Sequence, residues 1–344
     1  DLHQKSQPID LVTVMNLLQA RNELEQVGGA EYLLTLLEKV VSAANIDSHA
    51  KIIRDKSMLR RLIHTSSGLI EKAFSADYQD VETLIDIAEA EILKVGENKM
   101  SAGLIGSMDI VKSSIEKIED LYKRKADVTG VPTGFTELDK ITSGLHGGEL
   151  IIVAARPSMG KTAFSLNLAT HMALRAKKTV AYFSVEMAKE SVMMRLLAGE
   201  SKISMGEIRT GRIQDASWPK LIQAAGAISE APLFIDDTAG ISPFEIRARC
   251  RRLKATHGLD CIMIDYLQMM SLKQKTDNRE REVSEISKNL KGIAKELNVP
   301  IIALAQLNRG VEGRADRRPM LSDLRESGSI EQDADVIMML YRDD

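Results

Sequence analysis

The spacing of hydrophobic and polar positions changes near residue 130. Before that point, apolar residues recur every three or four positions with Glu, Lys and Arg between them, the pattern of amphipathic helices. Candidate breaks at residues 28–29, 43–45 and 75–80 divide this part of the chain into about four helices. The pattern therefore predicts an all-α N-terminal domain over residues 1–96.

A linker is predicted after this helical domain. Residues 96–106 are small, polar and contain glycine, which is typical of a flexible segment. The stretch from Met108 to Lys123 then places its apolar residues on one stripe and predicts an amphipathic helix. This stripe either packs on its own chain or docks on a neighbouring subunit, and the residues alone leave both readings open. We assign residues 97–128 to the linker.

From residue 130 onward, short apolar runs are separated by helical stretches of ten or more residues. The runs are Glu149–Ala155, Thr179–Val185, Leu233–Asp236, Cys261–Tyr266, Ile301–Ala305 and Val336–Leu340. Continuous apolar runs are typical of strands buried on both faces, and their alternation with helices predicts a mainly parallel α/β sheet. In such sheets the ligand site lies at the carboxyl ends of the strands. We assign residues 129–344 to this domain.

Composition narrows the class of protein. The chain has 344 residues, of which 44% are hydrophobic and 28% charged, as in globular proteins. The net charge of −3 gives no overall basic field, so any contact with nucleic acid must come from a local patch. No apolar run approaches the roughly 18 residues of a membrane helix, and the start shows no leader, so we expect a soluble, cytoplasmic protein. Because the chain opens on Asp1 and stops directly after an apolar run, we also expect a segment cut at both ends.

The most specific motif is a phosphate-binding loop. The strand LIIVAA leads into a loop and then a helical stretch, the context that this motif demands and that a chance match lacks. Loop amides and the helix N-terminus are expected to bind phosphates, Lys161 to neutralise them, and the hydroxyl of Thr162 to ligate Mg²⁺. The predicted nucleotide-binding residues are Ala155, Arg156, Pro157, Ser158, Met159, Gly160, Lys161 and Thr162.

Polar residues also end three other predicted strands. Asp265 ends an apolar strand, the arrangement of an acid that lies near Mg²⁺. Glu186 ends the strand after the phosphate-loop helix and is a candidate for activating water, with an acid at a helix start as the alternative. Gln306 is suited to bind a γ-phosphate and report its loss, with a structural amide at a strand end as the alternative.

An arginine-rich stretch follows over residues 308–332. It contains no aromatic residue, so a contact with a single strand of DNA would be made to phosphates and not by base stacking. A solvated surface loop is the alternative. The residues concerned are Arg309, Arg314, Arg317, Arg318 and Arg325, followed by Glu326 and Gly328.

Taken together, the motifs resemble those of the bacterial hexameric replicative DNA helicases of the DnaB type. The resemblance rests on SQPIDL, VGGAEYL, GVPTGFTELDKITSGL, AARPSMGKT, FSVEM, MIDYLQMM, ALAQLNR and LRESGSIEQDAD. It implies a RecA-like P-loop ATPase domain preceded by an N-terminal collar and a linker helix, with six chains in a ring. It also implies ATP and Mg²⁺, 5′ to 3′ movement on single-stranded DNA at the replication fork, and primase and a helicase loader as partners of the collar.

The resemblance also implies roles for single residues. It assigns Lys161 and Thr162 to nucleotide and Mg²⁺, Glu186 to water activation, Asp265 to the Walker B acid and Gln306 to sensing the γ-phosphate. Arg325, Glu326 and Gly328 match residues that hold the DNA backbone, and the linker helix would dock on the adjacent subunit. The arginine finger of the family falls beyond Asp344, so we expect this chain to bind ATP and hydrolyse it slowly.

Two other functions stay open from the sequence. A RecA-like recombinase or a circadian-type RecA ATPase has the same fold class, although the collar, the linker helix and the LRESGS run count against it. Residues 1–123 are alternatively an interaction module for primase or a loader.

Overall fold

The structure, a computed structural model, divides into two compact units, residues 1–113 and 114–344. It describes residues 10–39, 46–75, 81, 84, 87–88, 91–92, 95, 106–124, 128–272, 279–314, 316–327 and 330–342. The predicted break at 43–45, all but the first residue of the predicted break at 75–80, and most of the predicted flexible segment lie outside these residues. The domain bounds 1–96, 97–128 and 129–344 stay predictions.

The first unit is helical, as predicted. Its helix α1 begins with a capping box, in which Asp10 Oδ1 accepts a hydrogen bond from the Thr13 amide at 2.9 Å and Thr13 Oγ1 accepts one from the Asp10 amide at 3.0 Å. Helix α2 begins at Gly29, where the sequence predicts a break. The helices whose bounds the structure describes here are α1 (Leu11–Ala20), α2 (Gly29–Lys39), α3 (Ile46–Ser75) and α4 (Ser107–Arg124), of which α4 continues into the second unit.

Helix α4 matches the predicted linker helix. The five apolar residues of its stripe are 38% to 63% exposed, and they are Ile110, Val111, Ile115, Ile118 and Leu121. Whether the stripe packs on its own chain or docks on a neighbouring subunit therefore stays open.

The second unit is built on a six-stranded sheet in the order β3-β2-β4-β5-β1-β6, and every pair of neighbouring strands is parallel. The strands are β1 (Leu150–Ala155), β2 (Val180–Ser184), β3 (Leu233–Asp236), β4 (Cys261–Asp265), β5 (Ile301–Gln306) and β6 (Val336–Met339). This confirms the predicted fold class. Each strand end lies at the predicted residue or one residue away.

Helices cover both faces of the sheet. Among the described residues, the helices of this unit are α5 (Thr136–Thr142), α6 (Lys161–Thr170, continued by a π-helical turn His171–Arg175), α7 (Lys189–Ser201), α8 (Met205–Thr210), α9 (Trp218–Ser229), α10 (Pro243–His257), α11 (Arg279–Leu297) and α12 (Ile330–Asp333). Short 3₁₀ helices span Asp215–Ser217, Leu267–Met269, Arg309–Gly313 and Leu321–Ser327. None of the helices in the described part of the chain has both the length and the apolar character to cross a membrane.

The sheet has a hydrophobic cluster on each face, which explains why its strands are continuous apolar runs. In β1, Ile152 and Ala154 pack in the cluster beneath α10 and α11, whereas Ile151 and Val153 pack in the cluster beneath α6, α7 and α9. Because all strands are parallel, their carboxyl ends form one edge of the sheet. The loops at this edge hold the candidate site.

Candidate functional site

Four predicted site elements follow four neighbouring strands. In the sheet order β2, β4, β5, β1, these strands lead to Glu186, Asp265, Gln306 and the phosphate loop. The register aligns Ser184 with Asp265 and Ala155 with Gln306. The carbonyl of Asp265 also accepts hydrogen bonds from the amides of Val185 at 2.7 Å and Glu186 at 3.3 Å. The structure therefore brings these predicted residues together at one edge.

The phosphate loop leaves the first turn of α6 open. Gly160 has a φ of +95° and leads into Lys161, where α6 begins without a side-chain cap. A Cβ atom at Gly160 would meet no heavy atom within 4 Å, so the space beside Gly160 is open. First-turn amides have no partner within a helix, and an uncapped helix N-terminus attracts anions. This geometry suits phosphate.

Lys161, the first residue of α6, brings a cation to this edge of the sheet. Its ammonium lies 4.4 Å from the centroid of the Tyr266 ring, and the residue is half-buried. Burial lowers the pKa of Lys161, while the nearby carboxylates of Asp265 and Glu186 act to raise it. A partly desolvated cation attracts a bound anion more strongly than a fully hydrated one does.

Asp265 is buried with one oxygen unpartnered. Its residue exposure is 1%, and burial raises the pKa of its carboxyl group, opposed by the Thr162 hydroxyl and the Lys161 ammonium. Its Oδ2 accepts a hydrogen bond from the hydroxyl of Tyr182 at 3.4 Å, whereas its buried Oδ1 has no partner. A buried polar atom without a partner needs an explanation, and a hard cation supplies one.

A magnesium ion fits this donor set. Among the described residues, no group of three or more His, Cys, Asp and Glu could hold a metal ion by itself. Mg²⁺ is usually bound by one or two carboxylates together with substrate phosphates, so a single acid beside a hydroxyl is sufficient. Asp265 and Thr162 are therefore suited to such an ion.

The Arg156 side chain contacts the segment that follows β5. Its Nη1 donates to the carbonyl of Leu307 at 2.7 Å, and its Nε and Nη2 donate to Glu312 Oε1 at 2.8 and 2.6 Å. Arg156 thus takes part in the predicted loop through its backbone. The neighbouring Pro157 and Ser158 are exposed and Met159 is partly buried.

The predicted DNA-contacting residues are only partly described. Arg325 and Glu326 belong to the 3₁₀ helix Leu321–Ser327, but their side chains, and the whole of Gly328, lie outside the described part of the structure. Within the arginine-rich stretch, Arg314 binds Asp323 with two hydrogen bonds of 3.0 and 2.6 Å. Arg314 is therefore part of an internal ion pair rather than of a solvated basic surface. Arg309, Arg317 and Arg318 are exposed.

Two residues at this edge were not found from the sequence. Gln268 pairs with the backbone of Gln306: its Oε1 accepts from the amide and its Nε2 donates to the carbonyl, both at 3.2 Å. Tyr182 lies buried in β2, with its hydroxyl 2.9 Å from Ser165 Oγ and within reach of Asp265. A phenol hydroxyl in the middle of a mainly apolar strand was the available signal for Tyr182. Gln268 lies in a 3₁₀ helix and gives no such signal, since its partner Gln306 lies far along the chain.

Comparisons with known proteins agree with this geometry. Residues 130–344 match the family profile described as "DnaB-like helicase C terminal domain", and residues 1–55 match "DnaB-like helicase N terminal domain". Replicative DNA helicase DnaC of Bacillus subtilis is 49% identical over 344 residues, covering 100% of this chain and 76% of that protein. Replicative DNA helicase DnaB of Geobacillus stearothermophilus is 47% identical over 341 residues, covering 99% and 75%.

Solved structures give the same result. The structure described as "The Structure Of A DnaB-Like Replicative Helicase And Its Interactions With Primase" matches with a TM-score of 0.75 and 36% identity, covering 100% of this chain and 80% of that one. A second solved structure, described as an ATPase domain, matches with a TM-score of 0.66 and 43% identity, covering 68% and 84%. Because the family profiles and these identities together span the whole chain, it belongs to the DnaB family of replicative DNA helicases, which are ATP-dependent enzymes.

Proposed function

We propose that the chain forms a hexameric ring that uses ATP hydrolysis to move 5′ to 3′ on single-stranded DNA and unwind the duplex at the replication fork. The convergence of Glu186, Asp265, Gln306 and the phosphate loop at one edge of the sheet supports this proposal most directly. Such an edge combines a phosphate site, a metal-binding acid, a base and a neutral sensor. The unwinding is coupled to priming and takes place in the cytoplasm.

Each of these residues has its own role in ATP hydrolysis. Water attacks the γ-phosphorus, the bond to the β,γ-bridging oxygen breaks, and ADP and phosphate form while Glu186 accepts the proton of the attacking water. Lys161 neutralises charge on the β- and γ-phosphates. Gln306 hydrogen-bonds the γ-phosphate and loses that contact when phosphate leaves. Thr162 and Asp265 would hold Mg²⁺, which supplies further neutralisation of phosphate charge when it is bound.

Tyr182 orients the carboxylate of Asp265 through a hydrogen bond. Tyr182→Phe should therefore weaken the affinity for Mg²⁺ while keeping the packing of the aromatic side chain. Loss of a hydrogen bond to a metal-binding residue typically costs 10- to 100-fold in metal affinity. We expect the Mg²⁺ concentration at half-maximal ATP hydrolysis to rise about tenfold. The exposed Tyr122 supplies the control, Tyr122→Phe, which should leave it unchanged. An unaltered Mg²⁺ titration of the Tyr182 variant would contradict this role.

Arg325, Glu326 and Gly328 hold the phosphate backbone of single-stranded DNA in this proposal. Arg325→Ala should weaken binding to DNA of any sequence and reduce the slope of log affinity against log salt by about one, because a phosphate contact releases counterions without reading bases. Fluorescence anisotropy with two unrelated oligonucleotides over a salt series measures both effects. The exposed Arg212, beyond α8, supplies the control Arg212→Ala. A loss confined to one sequence would argue against a backbone contact.

The remaining parts of the chain have proposed roles as well. Residues 1–96 form the collar that binds primase and a helicase loader, residues 97–128 dock on the adjacent subunit through the apolar stripe of α4, and residues 129–344 form the motor. Support comes from the exposed stripe and from a similar helicase whose structure is described with its primase interactions.

The proposal is tested by ATP hydrolysis with and without single-stranded DNA, by solution mass, and by unwinding of forks with a 5′ or a 3′ tail. We expect a hexamer whose hydrolysis is stimulated by DNA and which unwinds only the fork that offers a 5′ tail. Strand exchange between homologous DNAs would instead indicate a recombinase. Primase binding by a chain without DNA-dependent hydrolysis would indicate an interaction module.

A further inference from the structure

Arg156 connects the phosphate loop to the segment that follows β5. Its guanidinium donates to the Leu307 carbonyl and twice to Glu312 Oε1, and the Leu307 amide in turn donates to the Ala155 carbonyl at 3.1 Å. The Arg156 side chain is 11% exposed, whereas that of Glu312 is 60% exposed. An arginine inside a phosphate motif thus donates three hydrogen bonds to a neighbouring segment.

The connection continues toward the proposed DNA contacts. Two residues after Glu312, Arg314 binds the buried carboxylate of Asp323, which also accepts the Met320 amide at 2.7 Å. The Asp323 carbonyl accepts the Asn308 amide at 2.9 Å. These bonds tie the 3₁₀ helix Arg309–Gly313 to the 3₁₀ helix Leu321–Ser327, which includes Arg325.

Apolar packing alone does not fix the Arg309–Gly313 helix against the loop. Val311 is buried and anchors the helix in the core. A cavity of about 310 Å³ borders the side facing the phosphate loop, and Arg156, Pro157, Met159, Glu312 and Arg317 are among its lining residues. The ion pair of Arg156 and Glu312 therefore spans a side that is loosely packed.

We propose that Arg156 and Glu312 are positioning residues that transmit nucleotide binding at the phosphate loop to the segment 309–327. Nucleotide orders the phosphate loop, and the Arg156 guanidinium moves with the loop. Through its contact with Arg156, Glu312 then shifts the 3₁₀ helices Arg309–Gly313 and Leu321–Ser327. The functional consequence of this inference rests on the proposed DNA-stimulated hydrolysis. The contact between Arg156 and Glu312 responds to nucleotide in the absence of DNA.

Glu312→Gln removes the negative charge of the Arg156–Glu312 pair and keeps the shape of the side chain. The rate of ATP hydrolysis without DNA and the KM for ATP should stay within about twofold, whereas the DNA concentration for half-maximal stimulation should rise about fivefold or more, in the range of couplings between sites. The matched control is Glu200→Gln, because Glu200 pairs with Arg175 at 2.5 Å and this pair does not involve the phosphate loop. In an Arg156→Gln background, Glu312→Gln should add no further change. An unchanged half-stimulating concentration overturns the proposal, as does an equal loss of basal and stimulated rates.

Hydrogen exchange supplies a readout that does not depend on DNA. A non-hydrolysable ATP analogue should slow amide exchange at residues 309–314 of the unaltered chain and of Glu200→Gln, but not of Glu312→Gln, while the phosphate loop is protected in all three. If DNA does not stimulate ATP hydrolysis by the unaltered chain, the proposed function is wrong. The hydrogen-exchange comparison then decides by itself whether the phosphate loop is coupled to residues 309–314. Equal protection of residues 309–314 in all three chains, or in none, overturns it.

Discussion

Replacing Glu186 with glutamine is expected to slow ATP hydrolysis by about 10² to 10⁴ while ATP still binds. The exposed side chain of Glu186 follows β2, and its amide is bonded to the carbonyl of Asp265. Glutamine has nearly the same size and can hydrogen-bond water, but it cannot accept the proton of that water. The expected loss is therefore in turnover and not in affinity.

Single-turnover hydrolysis and a separate titration with a non-hydrolysable ATP analogue distinguish the two effects. The matched control is Glu190→Gln, an exposed glutamate in the first turn of α7, four residues further along the chain. It should leave both measurements unchanged. Turnover of Glu186→Gln at the unaltered rate would remove Glu186 from the mechanism, and a parallel loss of binding would assign it to nucleotide affinity instead.

The sheet and its motif positions could be predicted because they depend on local sequence. A strand buried on both faces must be apolar at successive positions, as Ile151, Ile152 and Val153 are, and such runs are visible in one sequence. Parallel strands place their carboxyl ends at one edge whatever their order. The convergence of Asp265 and Gln306 with the phosphate loop followed from this rule without knowledge of the strand order.

The partners of single side chains could not be predicted, because they lie far apart in the chain. Arg156 stands inside a phosphate motif, so the motif assigns it to nucleotide, yet its guanidinium contacts Glu312. Arg314 belongs to an arginine-rich run in the sequence, but Asp323 neutralises it. Charge counted along a sequence does not show which charges are paired across a fold. The hydrogen bonds of Gln268 to Gln306 were hidden for the same reason.

Lys161→Ala is expected to weaken binding of ATP by about 30- to several-thousand-fold and to abolish measurable hydrolysis. The ammonium is half-buried, lies over the Tyr266 ring, and is flanked by the carboxylates of Asp265 and Glu186. Truncating one member of a buried charge pair typically costs about 2 to 5 kcal/mol. Here the loss is compounded, because the charges of the two nearby acids are then no longer offset by the ammonium and repel the triphosphate.

Titration with a fluorescent ATP analogue measures the affinity, and circular dichroism checks that the fold is kept. Lys178→Ala is the matched control, because Lys178 is half-buried like Lys161 and its ammonium lies 3.2 Å from Asp260 Oδ1, but it precedes β2 at the opposite edge of the sheet. It should bind the analogue normally. Lys161→Arg keeps the charge on a larger group, so binding should fall less than in Lys161→Ala while hydrolysis stays slow. Normal affinity in Lys161→Ala would show that nucleotide binds elsewhere than at this loop.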